Sequence, residues 1–123
     1  MTNETAVEAP PANVYESNGQ LTIAIPMPGA HHDTIEVRLE GRNLTVQAEA
    51  RYAQAQQHYH RHEWSVGTSR RELVLPKPVQ VDGAKAMLTH GVLAISLPIA
   101  EKETNPRIRI EVAEPPPHQD QVR

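Results

Sequence analysis

A chain of 123 residues holds one domain and hardly two. Its 12 Lys+Arg against 15 Asp+Glu give a net charge of −3, so no basic surface points to nucleic acid, and no apolar run approaches the ~20 residues of a membrane span. The absence of Cys excludes disulfides, thiolate chemistry and Cys-based zinc sites, and with no Phe, one Trp and three Tyr the core must be built from Val, Ile, Leu and Ala.

Residues 1–11 are polar and acidic and close on Pro10-Pro11; they read as a short flexible arm and not as a secretory signal. Asn18-Gly19 is a two-residue hairpin signal, followed by period-two alternation at Leu21, Ile23 and Ile25. Pro26-Met27-Pro28-Gly29 is expected to end that strand, because Pro cannot donate to a ladder. Alternation resumes at Ile35, Val37 and Leu39, and again after the tight turn Gly41-Arg42-Asn43 at Leu44, Val46 and Ala48. Residues 49–57 are rich in Ala and Gln without an apolar stripe at helical spacing, so they read as a strand end running into a loop. A further strand is expected to start near His62 and to carry Leu73 and Leu75 up to Pro76-Lys77-Pro78. Ala84, Ala86 and Leu88 face Leu93, Ile95 and Leu97 across the His90-Gly91 turn, and Glu114-Pro115-Pro116-Pro117 opens a polar tail. Turn signals about every ten residues predict an all-β sandwich.

The segment Ala86-Met87-Leu88-Thr89-His90-Gly91-Val92-Leu93 resembles the A-x-x-x-n-G-V-L signature of the small heat-shock proteins, the α-crystallin domain family. Its neighbours occur in family order. Val14-Tyr15-Glu16 before an Asn-Gly turn, Ile25-Pro26-Met27-Pro28-Gly29, Asn43-Leu44-Thr45-Val46 and His62-Glu63-Trp64-Ser65-Val66-Gly67 each resemble a family segment. So do Arg71-Glu72-Leu73-Val74-Leu75-Pro76 and the I-x-I motif Ile108-Arg109-Ile110. Two departures stand out: Ser69 and Leu73 occupy positions where the family usually has Phe, and the arm before Val14 is short for the family.

The resemblance implies an immunoglobulin-like antiparallel β-sandwich over residues 12–100, an arm over 1–11 and a C-terminal extension over 101–123. It implies a homodimer in which a loop carrying a short strand crosses to the partner's sheet; the matching segment is residues 52–60. The residues assigned to that interface are Val14, Tyr15, Glu16, Gln57, His58, Tyr59, His60 and Arg71, with Arg71 matching an arginine that pairs with an acidic residue across it. Ile108 and Ile110, two apart, share one face of an extended segment, and in the family this motif docks into an apolar groove. The matching groove is lined by Ile35, Val37 and Leu39 on one strand and by Ala84, Ala86 and Leu88 on the other. Docking on another subunit and folding back onto the same domain are both open. The hairpin residues Ala86, Gly91, Val92 and Leu93 are structural.

No cofactor or metal is expected. His58, His60 and His62 would share a face if they lay on a strand, which makes them a minor candidate for Zn, Ni or Cu, but nothing supplies a second shell. Asp33 and Glu36 stand near a strand start with no evident catalytic partner, and there is no nucleophile elbow or phosphate loop. The expected function is therefore that of a cytoplasmic, ATP-independent holdase that binds partly unfolded clients and neither nucleic acid nor membrane. The short arm argues for a dimer or small oligomers. The alternative is a dimeric β-sandwich interaction or co-chaperone module with a dedicated partner.

Overall fold

Period-two alternation yields nine strands and one short 3-10 helix among the described residues. The computed structural model describes residues 9–49, 58–63 and 68–114. In chain order these are β1 (Asn13–Ser17), β2 (Gln20–Pro26), the 3-10 helix His32–Thr34, β3 (Glu36–Glu40), β4 (Asn43–Glu49), β5 (Thr68–Val74), β6 (Lys85–Thr89), β7 (Val92–Pro98), β8 (Arg107–Ile110) and β9 (Val112–Ala113). They form two sheets, ordered β1-β2-β7-β6-β9 and β5-β4-β3-β8. All neighbours pair antiparallel except β6 and β9, which run parallel. The result is the β-sandwich that the sequence pattern predicts.

The core lies between the inner faces. Leu21, Ile23 and Ile25 pair with Leu97, Ile95 and Leu93, and Val37 and Leu39 pair with Val46 and Leu44. All ten are essentially solvent-free, and no polar or charged side chain is buried among the described residues. Each such side chain contributes roughly 1.5–3 kcal/mol by leaving water, which is how an aliphatic core replaces the missing rings. Asn18-Gly19 and His90-Gly91 turn their hairpins with positive φ at both central residues, as a type I′ turn requires.

Three details refine that pattern. First, β2 ends at Pro26, within the Pro26–Gly29 segment expected to stop it, and Met27 just beyond is still buried, its N–H donating to the Gly91 carbonyl at 2.7 Å. Proline is tolerated because the β1 ladder ends at Asn13↔Ala24, so Pro26 has no neighbour that needs its N–H. Second, β5 covers Thr68–Val74 among the described residues, and His62 itself lies outside any strand. Residues 58–63 are irregular and exposed, since charged and polar side chains give that stretch no apolar face to bury. Third, β8 and β9 join one sheet each, so the extension lies on its own domain, one of the two placements the sequence leaves open.

Candidate binding seam between the two sheets

On one side of the sandwich, β3 and β6 would each end their sheet with an unpaired edge. The chain closes that side itself. After β7, residues 99–106 cross the end of the sandwich and are tied down repeatedly. The N–H of Ala100 donates to the Pro78 carbonyl at 2.9 Å, the Thr104 hydroxyl to the Val79 carbonyl at 2.7 Å, and the N–H of Gly41 to the Pro106 carbonyl at 2.7 Å. Arg42 Nε donates to Glu103 at 3.0 Å across the same connection. This path delivers β8 to the free edge of β3 and, after Glu111, β9 to the free edge of β6.

Ile110 pairs with Val37 and Ile108 with Leu39, so both point between the sheets, as their spacing predicts. Ile110 is 6% exposed and Val112 8%, whereas Ile108 is half-buried. Of the residues expected to line the groove, Ile35, Val37, Leu39 and Ala86 are buried, and Ala84 and Leu88 are half-buried against the same cluster. The structure brings all six together beneath the extension of their own chain. Hairpin residues Ala86 and Leu93 lie in the core, Gly91 turns the chain and Val92 faces outward.

The outer edge of this seam is charged. Arg109 sits directly opposite Arg38, a like-charge pair that weakens pairing. Glu36 lies between them, 2.6 Å from Arg38 and 3.8 Å from Arg109, and Arg107 lies 3.6 Å from Glu40. These exposed pairs each contribute well under ~1 kcal/mol, so apolar burial and strand pairing hold the extension. Glu36 is thus an ion-pair partner at the seam, and Asp33 bonds His31.

The opposite side carries the two remaining edges, β1 and β5. Val14 and Tyr15 are exposed there. Glu16 lies 3.0 Å from Lys77, and the Arg71 guanidinium donates to the Pro10 carbonyl at 3.0 Å. Arg71 points inward beside Val46, whereas its neighbours Arg70 and Glu72 are exposed and pair with each other. Gln57 lies outside the described residues, as does most of the segment expected to cross to a partner. His58, Tyr59 and His60 are exposed and irregular.

The His58, His60 and His62 rings do not line one face. His58 and His60 are 5.7 Å apart, while His62 stacks on Tyr59 at 4.2 Å. The triplet of metal-ligating side chains that gathers among the described residues is instead His31, His32 and Glu114. Sequence reasoning missed it because Glu114 is 82 residues beyond His32, and only the docked extension brings the two together.

The model of the Hsp20/alpha crystallin family matches residues 13–113, which run from the first residue of β1 to the last of β9. A 17.0 kDa class II heat shock protein of Zea mays is 34% identical over 113 residues, covering 88% of this chain and 73% of the relative. A 17.6 kDa class II heat shock protein of Arabidopsis thaliana is 29% identical over 120 residues, covering 92% and 77%. The crystal structure of a small heat-shock protein from Xylella fastidiosa superposes with a TM-score of 0.68 at 29% identity, covering 85% of this chain and 98% of that one. The chain belongs to the Hsp20/alpha crystallin family, the small heat-shock proteins, which are ATP-independent chaperones and not enzymes. No helix among the described residues is long and apolar enough to cross a membrane.

Proposed function

We propose that this protein is a cytoplasmic holdase, and that its client surface is the seam between β3 and β6, opened when residues 107–113 leave it. The observation that carries this reading is that a short segment fills the seam, with four register pairs to β3 and two to β6. Partly unfolded clients expose apolar side chains and unpaired strand edges. A seam floored by Val37, Leu39 and Ala86 and flanked by two strand edges is complementary to both. The working unit is a homodimer built on the β1 edge, the segment containing Gln57, His58, Tyr59 and His60, and Arg71. Support for that assignment comes from the two free edges on that side and from the exposure of Val14 and Tyr15.

The test is light scattering from a heated model client without nucleotide. The protein is expected to suppress aggregation, and the Ile108→Ala/Ile110→Ala pair to suppress it at a lower chaperone-to-client ratio. No suppression at several-fold molar excess overturns the holdase reading.

A further inference from the structure

His31 and His32 stand side by side at the start of the 3-10 turn, with ring centroids 4.6 Å apart. That turn is pinned by Thr34, whose hydroxyl lies 2.7 Å from the Glu49 carbonyl and 2.9 Å from the His31 carbonyl. Glu114 reaches it from the extension, its Oε2 lying 2.7 Å from His32 Nε2. Pairing of Val112 with Ala86 and of Ala113 with Met87 sets the position of Glu114 one residue beyond β9. One ligand atom from each of His31, His32 and Glu114 lies within 4.8 Å of the others. A tetrahedral ion with bonds of ~2.0–2.1 Å holds its ligand atoms roughly 3.3 Å apart, so shifts of about an ångström or less convert the cluster into a coordination shell.

A further residue is already in place. Asp33 Oδ1 lies 2.6 Å from His31 Nδ1, which puts the proton on Nδ1 and leaves the Nε2 lone pair for a metal. The backbone N–H of Asp33 also approaches Nδ1, but at 3.5 Å it does not compete with the carboxylate. Two imidazoles and one carboxylate suit a borderline divalent transition metal, whereas Ca²⁺ and Mg²⁺ demand oxygen ligands. His31 and Glu114 are exposed and His32 partly so, which leaves room for water at the fourth position.

We propose that His31, His32 and Glu114 form a Zn²⁺ site, and that the ion clips the end of the extension to the β2–β3 connection. Because one ligand is on the extension and two are on the body, the complete site exists only when residues 107–113 are docked. Bound Zn²⁺ therefore shifts the equilibrium towards the closed seam. The site itself stands on geometry alone; only its effect on client capture rests on the holdase reading.

Calorimetric titration of Zn²⁺ into the full chain tests the site. The expected result is one ion per chain, with the heat lost in His32→Ala and in Glu114→Gln and the affinity weakened roughly 10-fold or more in Asp33→Asn. The His58→Ala/His60→Ala/His62→Ala triple should bind as the parent does. Zn²⁺ should slow amide exchange over residues 107–113 in the parent and leave it unchanged in Glu114→Gln. Absence of binding heat, heat that survives His31→Ala/His32→Ala, or heat abolished by the His58/His60/His62 triple overturns the site. Aggregation assays in chelator report on the holdase reading separately.

Discussion

The two open sides of the sandwich are closed by different chemistry. On the β3/β6 side, Ile110 and Val112 from the chain's own extension complete both sheets and leave little of the seam wet. On the β1/β5 side polar contacts reach across, Arg71 to Pro10 and Glu16 to Lys77, while Val14 and Tyr15 face water. An apolar seam left open would expose hydrophobic surface and two strand edges together, the combination that drives aggregation. The chain covers that side with its own C-terminal extension. The other side leaves Val14 and Tyr15 exposed at a free strand edge, the surface proposed above for pairing with a second copy.

The strongest way to break this contrast is Ile110→Asp. It removes buried aliphatic surface and places an unpaired charge between Val37 and the opposite sheet. Loss of about 2–3 kcal/mol is expected in urea unfolding, with amide protection lost over residues 107–113. An unchanged urea midpoint would mean that packing of the extension does not close the seam.

Val14→Pro probes the other side. Ser17 and Gln20 flank a two-residue turn and form the hydrogen-bonded pair, so Asn13, Tyr15 and Ser17 point their N–H groups at β2 while those of Val14 and Glu16 point outward. Removing the Val14 N–H therefore spares the β2 ladder and blocks the free edge. Light scattering should show the dimer converted to monomer, with a stability change below ~1 kcal/mol. A variant that stays dimeric would exclude the β1 edge from the interface.

The smallest effect is expected from Arg109→Thr, which relieves the Arg38↔Arg109 juxtaposition and adds a β-branched residue to an edge strand. It should tighten docking by a few tenths of a kcal/mol, read as slower exchange at Ile108 and Ile110. Faster exchange would show that Glu36 binds Arg109 strongly enough to outweigh the repulsion.

The strands with clean alternation were legible residue by residue. Leu21, Ile23, Ile25, Leu44, Val46, Leu93, Ile95 and Leu97 all face the core, because one buried face imposes period two on the side chains. The shared orientation of Ile108 and Ile110 was legible for the same reason. Less visible was the burial of Met27 beyond the end of β2, since it depends on what lies beside the strand. Neither the parallel pairing of β9 with β6 nor the gathering of His31, His32 and Glu114 has a local signature; Val112-Ala113 is two residues long.

By itself, the sequence determined an aliphatic two-sheet sandwich, its hairpins and the family whose motifs it carries. Those properties arise from periodicity, turn residues and composition, all of which act over a few neighbours. Only the tertiary structure decided that the extension lies on its own β3 and β6, that Arg71 holds the Pro10 carbonyl, and that Glu114 meets His32. These outcomes depend on where the tied-down connection over residues 99–106 delivers the chain, and no local pattern encodes the distance between segments far apart in sequence.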